Sequence, residues 1–158
     1  MGSRITKAEQ QLKPDPRFND KVLSRFINCV MRDGKKAVAQ RVVYAAIDEI
    51  EKRTKGEPTG IEVFREAIAN VRPEVEVRSK RVGGTNYQVP MQVSRRRQQS
   101  LTFRWIITTA RAESGKPMHL RLARELYDAS RKEGKAMNTR DQVHRMAAAN
   151  KAFAHFAW

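Results

Sequence analysis

The chain has 158 residues, 32 of them Lys or Arg against 17 Asp or Glu, which gives a formal charge of +15 and an isoelectric point near 10.6. That length supports one domain with a real core, and that charge points to a polyanionic partner. No apolar run approaches the roughly 20 residues of a membrane span, which favours nucleic acid over a lipid surface; the start, MGSRITKAEQQ, lacks an apolar signal core, and the single Cys29 allows no internal disulfide.

Residues 1–18 read as an extended basic arm: Arg4, Lys7, Lys13 and Arg17 flank a Pro14-Asp15-Pro16 turn, and no apolar period is sustained. Residues 19–158 read as one helical domain. Asn19 or Asp20 caps helix one, whose stripe is Val22, Leu23, Phe26, Ile27, Val30 and Met31. The same spacing places Cys29 on the apolar face as a buried structural thiol. Gly34 is placed to end this helix and Lys35-Lys36 to open helix two, with Val38, Val42, Val43, Ala45, Ala46 and Ile50 inward. The pair is expected to pack as a hairpin. Thr59 and Glu62 have capping-box spacing for helix three, built on Ile61, Phe64, Ala67, Ile68 and Val71 and stopped by Pro73.

Between Arg72 and Arg97 the period changes from helical to two. Val75 and Val77, then Tyr87, Val89, Met91 and Val93, alternate with polar residues around Gly83-Gly84, the pattern of a β-ribbon over 73–93 with a tight turn. From Val77 to Ala112 there are eight basic residues, namely Arg78, Lys80, Arg81, Arg95, Arg96, Arg97, Arg104 and Arg111, and no acid. Such an arm suits a polyanion groove. Tyr87 either covers the ribbon's apolar side or stacks on an unpaired base.

Ser94 caps helix four, with Leu101, Trp105, Thr108 and Ala112 on one face and Phe103, Ile106, Ile107 and Ala110 broadening it. Its three leading arginines oppose the helix dipole, a violation that a bound phosphate would reverse. Pro117 starts helix five, with Leu120, Ala123, Leu126 and Tyr127 inward, and Gly134 ends it. Thr139 to Gln142 is a second capping-box candidate, opening helix six with Val143, Met146, Ala147 and Asn150. The closing Phe153, His155, Phe156 and Trp158 either pack on the domain or contact RNA or a neighbouring protein. The fold class is therefore mainly α: a single domain of about six helices, with a protruding two-stranded β-hairpin arm between helices three and four.

No nucleophile with a base, paired carboxylates or ligand cluster stands out, and His119, His144 and His155 lack metal-ligand spacing. The expectation is a non-enzyme with no cofactor, metal or small-molecule substrate. Arg95, Arg96 and Arg97, the strand residues Arg78, Lys80 and Arg81, and the junction residues Arg32, Lys35 and Lys36 are suited to phosphates. An architectural protein placing a β-arm in the minor groove of DNA is the rival class.

The run DKVLSRFINCVMRDGKKAVAQRVVYAA, the ribbon VEVRSKRVGGTNYQVPMQVSRRRQQSL and the ending HRMAAANKAFAHFAW together resemble bacterial-type small-subunit ribosomal protein seven. The resemblance implies a primary binder of small-subunit ribosomal RNA that nucleates assembly of the head, in a bacterial cytoplasm or an organelle, beside other small-subunit proteins. It implies RNA contacts from the arm (Arg4, Lys7, Arg17), the junction, the ribbon and its flanks (Arg72, Arg111) and the last helix (Arg140, Arg145, Lys151). It further implies that Arg81, Val82, Gly83, Gly84, Thr85, Asn86 and Tyr87, with His155 and Trp158, lie near transfer RNA in the exit site and messenger RNA. In some relatives the same surface represses the protein's own messenger. Neutralising about eight phosphates would give a log-log salt slope of about −5 to −7.

Overall fold

The computed structural model describes residues 8–157. Its elements run α1 (Ala8–Gln11), α2 (Lys21–Val30), α3 (Lys36–Thr54), α4 (Gly60–Val71), β1 (Val75–Val82), β2 (Thr85–Gln92), α5 (Arg95–Ala112), α6 (Met118–Ser130), α7 (Lys135–Ala149) and a closing 3-10 helix (Lys151–Phe156). The six expected helices are α2 to α7, with the hairpin between the third and fourth. Among the described residues no helix is long and apolar enough to cross a membrane.

Local chemistry accounts for most of the boundaries. Asp20 caps α2 by accepting from the N–H groups of Val22 and Leu23 at 2.8 and 3.2 Å. Glu62 closes the capping box of α4 on the Thr59 N–H at 2.9 Å. Ser94 caps α5 from the Arg97 N–H. The core forms where three helices meet: Phe26 of α2 lies 5.3 Å, centroid to centroid, from both Phe64 of α4 and Phe103 of α5. Ile47, Ile50, Ile106, Leu122 and Leu126 fill the space around them.

Several inward assignments change. Cys29 is exposed, because α2 buries the face of Leu23, Phe26, Ile27 and Val30, leaving Val22 and Cys29 at its outer edge. Val38 and Met146 are exposed too, as are Thr108 and Ala112, and Trp105 is only half-buried against the core. Thr139 does not cap a helix: α7 starts at Lys135, four residues earlier, and the Thr139 hydroxyl donates to the Lys135 carbonyl. The acceptor at that helix start is remote in sequence. Glu125 of α6, buried, accepts from the Ala136 N–H at 2.8 Å.

Burial raises the Glu125 carboxyl above its ordinary value, with the Ala136 N–H pulling the other way. A carboxyl raised in the folded state adds stability below its unfolded pKa, and that stability is lost as pH rises through the folded value. Glu125→Gln keeps an acceptor for Ala136. Its stability relative to the parent is expected to improve between about pH 4 and pH 7.5, read by urea unfolding at both; a pH-independent difference would contradict the assignment.

Of the expected arm, the described part is docked rather than free from Asp15 onward. Asp15 is buried and accepts from the N–H groups of Arg17, Phe18 and Asp20 and from the Tyr44 hydroxyl of α3. The ribbon turns through Gly83 and Gly84, whose φ values of 57° and 84° are those of a type I′ turn. Its register pairs Arg78 with Val89 and Lys80 with Tyr87. Residues directly opposite share a face, so Glu76, Arg78 and Lys80 lie with Met91, Val89 and Tyr87, while Val75, Val77 and Arg81 take the other side. Isolated two-stranded ribbons are marginal in water. This one leans on α7 and on the 3-10 helix, and Val89 is fully buried between them and the strands.

Candidate nucleic-acid interface

The basic residues separate into those held by carboxylates or by the tail and those left open. Glu76, in the first strand and only 8% exposed, receives Arg78 at 2.8 Å and Arg97 at 3.2 Å. Two of the arginines expected to grip phosphate are therefore held by one carboxylate, and the Arg97 pair fixes the ribbon to the start of α5. Lys80 donates to the Phe156 carbonyl at 2.7 Å, and Tyr87 packs against the rings of both Phe153 and Phe156, 5.0 and 5.1 Å away, which lie 6.1 Å from each other. Tyr87 thus covers the ribbon and anchors the tail. Arg17 pairs with Asp48, which raises its pKa, and lies over the rings of Phe18 and Tyr44.

Arg97→Ala should cost about 1–3 kcal/mol, because it leaves a nearly buried carboxylate with one cation. Thermal unfolding checks this, and a wild-type melting temperature would show the pair to be solvent-screened.

Two open clusters remain. At the start of α5, Arg72, Arg95 and Arg96 are exposed, make no ion pair among the described residues, and line a cavity of about 630 Å³ together with Arg25 and Glu9, which pair with each other at 3.6 Å. Ser94 satisfies one N–H of the first turn, and the remaining N–H groups have no intrahelical acceptor. Three cations beside a positive dipole end repel one another until an anion arrives. At the junction of α2 and α3, Arg32 and Lys35 are exposed beside Arg111, and Lys36, also exposed, lines a separate pocket with Asp15. Arg111 is half-buried and donates to the Val30 carbonyl at 2.9 Å; desolvation, then the nearby Arg32, lowers its pKa.

The ribbon tip, Arg81 with Gly83, Gly84, Thr85 and Asn86, is exposed, and Val82 is half-buried. On α7, Arg145 is exposed and bonds back to the Asp141 carbonyl, while Arg140 is half-buried with its Nη1 3.8 Å from Asp141 Oδ1. Lys151 is exposed, and His155 is exposed with its ring 4.3 Å from that of Phe156. Arg4, Lys7 and Trp158 lie outside the described residues. Among the described residues no group of His, Cys, Asp and Glu could hold a metal ion.

The sequence that builds this helical body and braced ribbon matches a known family. A family model described as ribosomal protein S7p/S5e covers residues 3–151. The chain belongs to this family. It is similar to the small ribosomal subunit protein uS7 of Rhodopirellula baltica, 58% identical over 155 residues that cover 98% of this chain and 99% of that protein. It is likewise similar to the uS7 proteins of Salinibacter ruber, 55% identical over 98% of each chain, and Sphingopyxis alaskensis, 52% identical over the whole of both.

Two arginines of this S7-family chain belong with the open clusters and were not singled out from sequence. Arg25 lines the cavity at the start of α5, where it donates to Gln99 Oε1 at 2.6 Å and also pairs with the exposed Glu9 at 3.6 Å. Arg121 lines the junction pocket and donates to the carbonyls of Arg111 and Glu113. The signal for Arg25 was its place four residues after Lys21 and seven before Arg32, on the face of α2 away from the apolar stripe. Arg121 carried no local signal, since its partners end a different helix.

Proposed function

We propose that the protein is a structural component of the small ribosomal subunit that binds ribosomal RNA of the head directly and nucleates assembly of that domain. The exposed ribbon tip then lies beside the transfer RNA exit site and messenger RNA. The observation that carries the reading is the pair of basic clusters whose members make no ion pair among the described residues, Arg72 with Arg95 and Arg96, and Arg32 with Lys35 and Arg111, in a chain of ribosomal family.

The geometry supports a mechanism in which charge gives affinity and shape gives selectivity. Each open cluster exchanges condensed counterions for protein cations, a sequence-independent gain. A rigid body that holds the clusters at fixed separation fits only a folded RNA whose phosphates match them. The internal pairs do the holding: Glu76 with Arg97 sets the ribbon on α5, and Tyr87 with Phe153 and Phe156 sets the tail on the ribbon. Repression of its own messenger would use the same surfaces on an RNA of similar shape.

Reconstitution of the subunit from purified RNA and proteins tests the role. With this protein omitted, head RNA should stay unprotected and other head proteins should fail to join; their normal incorporation without it would overturn the proposal.

A further inference from the structure

Where α2 and α5 end and α3 and α6 begin, the surface opens into a pocket of about 290 Å³. Its floor is apolar, formed by Val38, Val42 and Met118, and its rim is cationic, formed by Arg32, Lys35 and Arg111. No carboxylate lines it, and none of the three rim residues makes an ion pair among the described residues. Val38 is 45% exposed on a helix that otherwise turns Ala39, Val43, Ala46 and Ile47 into the core. An apolar side chain left in water inside a ring of cations is unfavourable twice over, through hydration and through mutual repulsion of the ring.

A ligand that relieves both has a flat, weakly polar body and an attached anion. From this we infer that the pocket takes one unpaired nucleotide of the bound RNA, its base lying on the Val38, Val42 and Met118 floor and its flanking phosphates on Arg32 and Lys35. The inference rests on the RNA-binding reading above and names what that junction recognises. A paired nucleotide does not qualify, because its base face is stacked within the helix, whereas bases in loops and bulges are free to be splayed onto a protein surface. Arg111 suits the part, since its bond to the Val30 carbonyl at 2.9 Å fixes the guanidinium before the RNA arrives.

The test uses the full chain carrying Val38→Gln or Val38→Met. Both residues favour helix at this exposed position and neither changes charge. Each variant is titrated, across a series of salt concentrations, against the head-domain fragment of small-subunit ribosomal RNA and against a fully paired RNA duplex of equal length. Val38→Gln is expected to bind the head fragment about fivefold or more weakly, with the salt slope and duplex affinity unchanged, and Val38→Met to stay within about twofold of the parent. If the parent prefers the head fragment and Val38→Gln binds it equally well, no base sits on the floor; an apolar segment of a protein partner then becomes its occupant. Equal loss on fragment and duplex would also overturn the inference. A parent that does not distinguish the two RNAs would sink the RNA-recognition reading itself, a failure visible without any Val38 variant.

Discussion

The double variant Arg95→Ala, Arg96→Ala is expected to bind head-domain ribosomal RNA at least about tenfold more weakly at physiological salt while melting at or slightly above the parent temperature. Both side chains are exposed, and neither makes an ion pair among the described residues, so no folded-state contact is lost. They stand at the positive end of α5, where each cation costs a few tenths of a kcal/mol, about the size of the gain expected on removal. Removing two phosphate contacts should also flatten the log-log salt dependence by about 1.4–1.8, depending on whether the contacted RNA is single- or double-stranded. Arg97→Ala is the control within the same tripeptide, losing stability through Glu76. Unchanged affinity of a folded double variant would remove the start of α5 from the interface.

Gly60→Ala is expected to destabilise the fold by about 2–4 kcal/mol and to lower the melting temperature by roughly 5–15 °C. Gly60 is the first residue of α4 and buried, and a Cβ there would stand 2.5 Å from the Ile47 carbonyl oxygen and 2.6 Å from Ile47 Cγ2. Alanine normally stabilises a helix relative to glycine by about 0.5–1 kcal/mol. Here the contact opposes that preference and wins, because the obstructing atoms are backbone and a fully buried side chain at the centre of α3. The two helices would have to separate locally, opening the packing around Phe64. Melting at the parent temperature would mean that α3 and α4 part without loss.

Features confined to a few neighbouring residues were legible in the sequence. Asp20 with the N–H groups that follow it, Thr59 with Glu62, Ser94 before the arginines, and Gly83-Gly84 between alternating strands are all settled within four residues, and the structure keeps each of them. What the sequence hid depends on contacts between distant segments. Glu125 fixes the start of α7 from α6, and without it the spacing of Thr139 is the stronger local signal. Cys29 and Val38 have core spacing but lie at the edges of their stripes, where only the position of the neighbouring helix decides burial.

The interface divides the same way. Composition located the basic residues but not their partners. The acid-free window begins one residue after Glu76, and that one carboxylate takes both Arg78 and Arg97. Asp48 takes Arg17 from thirty-one residues away. The aromatic ending, open between packing and contact by sequence, is settled for Phe153 and Phe156 by Tyr87, a residue more than sixty positions earlier.

The most direct test of recognition is a filter-binding titration of the full chain against the head-domain fragment of small-subunit ribosomal RNA at physiological salt, with duplex DNA and scrambled RNA of equal length as competitors. Two basic clusters held at fixed separation by a rigid body predict a preference of about a hundredfold or more for the head fragment. Equal affinity for all three would mean that charge alone governs binding, contradicting the central claim that the braced fold reads the shape of its RNA.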